Sequence, residues 1–399
     1  MNTKQFLVNS HKLSLFAFVA FTVLPVKINL SSIAIIVMAC FGALTLLQER
    51  KVGSVLYFVL AIPLVVYIVG LINTENMDYA SRWLTRNLSF VILPIYFFFS
   101  GKTVSQKMID QTLSLFLVVL AALNFYLIYL FVYYFNYGER YPRIVGFEIY
   151  HATYLGMYNL FALWICLIRF AKAKFSLKSI YFWAVLWFAV GSVATSSRII
   201  FIALFLSLLV FAILQLPGLR FRVISSLVLI GIGSLAITQV PALKEKFNQI
   251  TAMESFSFDK DNYQSISSRV GKIEASKRLI ANKPWMGAGT GDLIDDLVKE
   301  YQDFKFTMGI KERYNPHNQY LDNIGRNGLP LGILALGSLF VFPFLFGLRR
   351  DNRLLMALAG VVAITALTES VLAQHKGITF FAFFACLLIH QSLLKPVDQ

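Results

Sequence analysis

Five histidines occur in the 399-residue chain, and their placement sorts them. His11 falls in the N-terminal tail and His390 deep in the last apolar segment, whereas His151, His317 and His375 fall on the outer half of the chain's apolar segments. Histidine titrates near neutrality and can take a proton from a hydroxyl. That makes His317, in Asn315-Pro316-His317-Asn318-Gln319-Tyr320-Leu321 at the start of an apolar segment, a candidate general base. A helix cap or hydrogen-bonded core histidine is the alternative. Arg198 closes the tight turn Thr195-Ser196-Ser197-Arg198 between two apolar segments. Its guanidinium fork suits bidentate binding of phosphate oxygens, although a snorkelling interfacial arginine would look the same. Arg269 opens an amphipathic stretch that is followed by Pro284-Trp285-Met286-Gly287-Ala288-Gly289-Thr290-Gly291-Asp292. These glycines resemble a phosphate cradle but lack the Gly-Lys-Ser/Thr ending, so a tight structural turn between two helices is the preferred reading. Lys311 reads as solvated charge, Arg313 as solvated charge or a further anion contact, and Asp259-Lys260-Asp261 as a solvated turn. Glu369, placed near the outer end of an apolar segment, is either a charge partner for an arginine or a catalytic group.

The elements that position these residues are membrane helices. Hydrophobic residues make up 57% of the chain and charged residues 14%, and the mean hydropathy is +0.66. A soluble globule could not hide that much apolar surface. Runs such as residues 111–135, 199–216 and 378–394 are long enough to cross a hydrocarbon core of about 30 Å. No alternating ten-residue strands of a barrel are visible. The expectation is an all-α, polytopic integral membrane bundle forming a single domain over residues 1–399, with about twelve transmembrane helices. The spans fall near residues 13–27, 30–47, 54–72, 88–100, 111–136, 149–170, 179–194, 198–216, 223–239, 328–347, 354–372 and 377–394. Lys4 and Lys12 precede the first, which has no small-residue cleavage site and reads as a retained span.

The net charge of +15 is spread among short loops and forms no arm or stripe, so no nucleic-acid partner is expected. Basic clusters at Arg50 and Lys51, Lys102 and Lys107, Lys172, Lys174 and Lys178, Arg220 and Arg222, and Arg349, Arg350 and Arg353 follow even-numbered spans. The positive-inside rule makes their side, and both termini, cytoplasmic. Cys40, Cys166 and Cys386 lie inside apolar segments, where neither a disulfide nor a zinc site is expected.

One long hydrophilic segment, residues 241–327, separates the ninth and tenth spans and faces outward by the same parity. Its 13 Lys and Arg nearly balance 12 Asp and Glu. Val270, Ile273, Leu279 and Ile280 share one stripe of a helix expected to start after Ser268 and to end before Pro284. Residues 292–301 give a second short helix. Loops of this size with their own structure usually carry function.

His317-Asn318-x-Tyr320-Leu321 with the later Gly328, Ser197-Arg198, and Arg269 with Pro284-Trp285-x-Gly287-x-Gly289 together resemble the O-antigen ligase and polymerase superfamily. A further patch, Arg143-x-x-Gly146 followed by His151 and Tyr154, is similar to the family's segment before its sixth span. That family usually carries an acid nine positions after the motif histidine, where this chain has Arg326. The resemblance implies a bacterial inner-membrane glycosyltransferase working on the periplasmic face. It would move a glycan from an undecaprenyl-diphosphate donor to an acceptor hydroxyl on lipid A-core or another glycan, with no metal, nucleotide or other cofactor. It also implies catalytic roles for His317, Arg198 and Arg269, and substrate contacts from Arg143, Asn318, Tyr320, Arg313 and Glu369. A polysaccharide polymerase would share the donor chemistry and differ in its acceptor. A lipid-linked glycan transporter or flippase is the reading from another class, but it should show two related halves with paired broken helices, which this chain lacks. With membrane lipids as surroundings, the loop parity is directly testable. A cysteine placed at Asn262 should react with a membrane-impermeant reagent in intact spheroplasts, whereas one at Lys174 should not; the reverse pattern would overturn the topology.

Overall fold

A computed structural model describes residues 3–25, 30–49, 52–101, 103–134, 151–216, 218–239, 244, 265–303 and 305–394. The chain is helical: α1 (Thr3–Val23), α2 (Leu30–Glu49), a 3-10 turn (Val55–Ala61) leading into α3 (Ile62–Val69), α4 (Met77–Asn87), α5 (Ser89–Ser100) and α6 (Gln106–Tyr133). Then follow α7 (Ala152–Lys172), α8 (Ile180–Ala194), α9 (Arg198–Gln215), α10 (Leu219–Gln239), α11 (Ser265–Asn282), α12 (Leu293–Asp303) and α13 (Thr307–Glu312). The chain ends with α14 (Gln319–Leu336), a π-helical turn (Gly337–Val341), α15 (Phe342–Arg349), α16 (Arg353–Thr365) and α17 (His375–Leu394). Among the described residues, 9 segments are long and apolar enough to cross a membrane, and Val55–Val69, Ile180–Ala194 and Arg353–Thr365 are shorter apolar helices. The chain is thus a multi-pass helical membrane protein, and each expected span falls on one of these segments.

Contacts within the chain divide it into two units, whereas the composition suggested one domain. The first comprises Met1–Thr22, Val26–Thr112 and Ser255–Gln399; the second comprises Val23–Pro25 and Leu113–Glu254. In the first unit, α17 is the central element. It packs against α4, α5, α15 and α16. Every residue from Gly377 to His390 is buried, so this run, apolar all round, has protein on all sides. In the second unit α7 packs on α8 and α9, and the buried Asn124 Nδ2 donates to Asn159 Oδ1 at 2.6 Å, one of the polar clasps that join helices in an apolar medium. Large apolar side chains such as Ile213, Leu214, Phe221 and Leu227 point outward, as lipid-facing residues do.

From Ser265 on, the described part of the hydrophilic segment folds into a small module with its own core. Ala275 and Leu279 of α11, Ala288, and Leu293, Ile294, Leu297 and Tyr301 of α12 are buried together, with Phe306, Ile310 and Tyr314 packed on them. Both expected helices exist with shifted ends, since α11 begins at Ser265 and α12 at Leu293. Asp292 stands just before α12, its carbonyl accepting the Asp296 N–H at 2.9 Å and its carboxylate accepting the backbone N–H groups of Glu75 and Asn76, each at 2.8 Å. Helix α13 and the amphipathic α4 lie where the sequence suggested only connections. Asn76 caps α4, and its Ala80, Trp83 and Asn87 are buried at helical spacing.

Two other boundaries move. The tenth span begins at Gln319, nine residues before its expected start, and passes through Gly328 with φ 74° and ψ 173°. The eleventh stops at Thr365, so Glu369 sits in the turn between α16 and α17 and not inside a spanning helix. Gly328 is left-handed where its neighbours meet the glycine-rich turn, and a Cβ there would overlap the Trp285 carbonyl. Gly328→Ala should therefore destabilise the detergent-solubilised protein by roughly 2 kcal/mol or more, read as a lower unfolding temperature. Gly360→Ala, with open space around the new methyl, should leave that temperature unchanged.

Candidate active site

The segment before α14 shapes the site. Arg313 ends α13 in the left-handed conformation (φ 48°), and His317 adopts it again (φ 46°), with its N–H donating to Asn315 Oδ1 at 3.1 Å. Asn318 then starts the helix, its Oδ1 accepting the N–H groups of Tyr320 and Leu321 at 2.9 and 3.0 Å. The same residues stitch the segment to the turn after α16. Asn318 Nδ2 donates to the Leu367 carbonyl at 3.0 Å, the Gln319 N–H donates to Ala366 at 2.9 Å, and Gln319 Oε1 accepts from the Leu372 N–H at 2.7 Å. Tyr320 Oη donates to the Ala363 carbonyl at 2.9 Å.

This stitching brings Glu369 to His317. The imidazole Nδ1 lies 3.2 Å from both carboxylate oxygens. An ionised carboxylate only accepts, so with Glu369 ionised a neutral His317 donates to it from Nδ1 and keeps Nε2 as an acceptor. Helix α11 supplies the positive charge. Arg269 and Lys272, one turn apart, both interact with Glu369. Burial lowers the Arg269 pKa from its ordinary value, with Glu369 opposing. Burial also lowers that of Lys272, to about 8; Glu369 opposes the shift and Arg269 adds to it. The Lys272 ammonium sits 3.8 Å over the ring of Tyr314, and that ring meets the imidazole edge-on, 6.2 Å between centroids. Neither Lys272 nor Tyr314 stood out in the sequence, although Lys272 shares a helical face with Arg269.

The remaining sequence-predicted residues fall elsewhere. The chain has Arg326 where the family pattern would place an acid. Arg326 is fully buried between Asp322, at 3.3 Å, and the face of Trp83, at 3.7 Å, and it donates to the Thr290 carbonyl. The carboxylate beside His317 comes instead from Glu369, a different part of the chain. Arg313 pairs with Asp295 on the exposed rim of the module. Consecutive amides of the glycine-rich turn, Gly287 to Thr290, donate to the carbonyls of Lys283, Gly325, Arg326 and Gly70, as a structural turn would and an anion cradle would not. His375 meets Ser31 and Ser32, and His151 caps α7. Arg198 belongs to the second unit, where it opens α9 after a turn with Ser196 at φ 52° and is half-buried. Arg143, Asp259 and Asp261 lie outside the described residues.

A cationic helix face beside a carboxylate-held histidine suits transfer to a hydroxyl from an anionic leaving group. Residues 183–336 match the family model described as O-antigen ligase. The resemblance seen in the motifs is therefore shown over that region, which includes Arg198, Arg269, Lys272 and His317, and the match supports a membrane glycosyltransferase-like role in O-antigen processing. A comparison with curated proteins gives no match. Glu369 lies C-terminal to the region matched by the O-antigen ligase family.

The arginine chemistry can be tested directly. Arg269→Lys keeps the charge but loses the bidentate fork, so transfer by the purified protein should fall on the order of tenfold to a hundredfold with normal folded yield. The same substitution at Arg198 tests its sequence-based role. Full activity in both variants would make these arginines structural.

Proposed function

We propose that the protein transfers a glycan from an undecaprenyl-diphosphate donor to an acceptor hydroxyl at the periplasmic face of the inner membrane, as a ligase acting on lipid A-core. The observation that carries this reading is the His317–Glu369 pair beside Arg269, in a chain whose central region matches the O-antigen ligase family. His317 Nε2 takes the proton of the acceptor hydroxyl as its oxygen bonds to the anomeric carbon. The bond from that carbon to the diphosphate oxygen breaks, and its electron pair leaves with the diphosphate. Arg269 stabilises the charge that develops there, and Glu369 stabilises the imidazolium that forms on His317. The polar atoms of Asn318 and Tyr320 hold the segment that carries His317 in place, and Arg313 pairs with Asp295 on the exposed rim of the module.

His317→Ala should leave donor binding nearly intact while lowering turnover by about a hundredfold to ten-thousandfold. In the unmodified protein the rate should fall with acidification, because the protonated imidazole cannot accept a proton. A well-folded, fully active alanine variant would sink the catalytic assignment. EDTA should not affect transfer, whereas a metal-assisted route through Asp259 and Asp261 would be abolished. Deleting the gene and resolving surface glycans by gel separates the acceptors. A ligase mutant loses all polymer on the lipid core, and a polymerase mutant retains single capped repeats.

A further inference from the structure

Lys272 has no part in the reaction as described, yet its position is costly. It is 5% exposed, and among the described residues its ammonium forms no salt bridge and rests on the face of Tyr314. Burying an ammonium away from a direct ion partner is unfavourable unless the charge serves something nearby. The carboxylate whose field it feels is Glu369, which also contacts His317.

A carboxylate beside an imidazole has two effects that conflict in a general base. It orients the ring and fixes the tautomer, but it also favours the imidazolium, which cannot accept a proton. Cations that share the carboxylate's field offset the second effect and leave the first. We propose that Lys272 is a positioning residue for the general base: it shares the field of Glu369 with Arg269 and braces Tyr314 against the imidazole, so that His317 is oriented but neutral. This rests on the reading of His317 as the base. Among the described residues, the titratable and charged groups whose contacts with the pair are resolved include Glu369 from the turn after α16, Arg269 and Lys272 from α11, and Tyr314 from the segment before α14. Lys272, held down to about 8 by burial, is charged at neutral pH, and its influence is lost as pH rises past that value.

The test is a ¹⁵N-histidine NMR titration of the full-length protein in detergent, with the His317 signal assigned by its loss in His317→Ala, alongside transfer rates at each pH. Lys272→Met should raise the pH at which the imidazole titrates by about one unit, and the acid limb of the rate profile should move with it. Lys272→Arg should restore both. In a Glu369→Gln background the Lys272→Met shift should fall to less than about half, because the carboxylate it balances is gone. Lys272→Gln provides a second neutral variant should the methionine form fold poorly. An unchanged imidazole titration in either neutral variant, or a full shift without Glu369, overturns the proposal. A fully active His317→Ala would overturn only the reading of His317 as base, since the titration reports on Lys272 without reference to turnover.

Discussion

The site depends on the stitching between the segment before α14 and the turn after α16. Three hydrogen bonds, from Asn318 to Leu367, Gln319 to Ala366 and Leu372 to Gln319, join two stretches some fifty residues apart in the chain. Each is worth only about 1 kcal/mol net, but together they fix the register that sets Glu369 opposite His317. Without them a histidine at a helix start would be only a cap. The left-handed backbone at His317 belongs to the same segment, immediately before the Asn318 cap.

Charge balance follows from this geometry. Among the described residues, the Glu369 carboxylate faces the His317 imidazole and two cations of α11, the half-buried Arg269 and the buried Lys272. Partial burial strengthens these interactions relative to water. In the proposed reaction the leaving lipid diphosphate is strongly anionic, and the cations of α11 would offset its charge. The aromatic ring of Tyr314 gives Lys272 a partner that does not compete for its charge, unlike a second carboxylate.

The glycine-rich turn holds the module carrying Arg269 and Lys272 against the rest of the first unit. Its amides bond to the backbone around Gly328, Arg326 donates back to Thr290, and the Asp292 carboxylate receives the amides that precede α4. Close approach of two backbones requires glycine on both sides, since a Cβ on Gly287 would lie 2.6 Å from the Arg326 carbonyl oxygen and one on Gly328 would overlap Trp285. Arg326, the departure from the family pattern, is thereby a structural residue, buried with Asp322 and Trp83.

Composition and run length determined the helical membrane architecture, because only helices and closed barrels satisfy their backbone polar groups in lipid and the long, non-alternating apolar runs exclude a barrel. The amphipathic stripe of Val270, Ile273 and Leu279 likewise announced α11, and the chemistry of histidine and arginine singled out His317 and Arg269. Helix ends were less legible. Asp292 stands just outside its expected helix with its carboxylate on two distant amides, and the eleventh span stopped at Thr365, before the polar Thr368, Glu369 and Ser370. Only tertiary structure decided the partners of His317. Nothing local relates residue 317 to residue 369, or Lys272 to Tyr314, and an arginine nine positions after the histidine pointed away from any carboxylate there. Those pairings come from long-range hydrogen bonds and from the packing of the module's small core, which residue spacing along a chain does not encode.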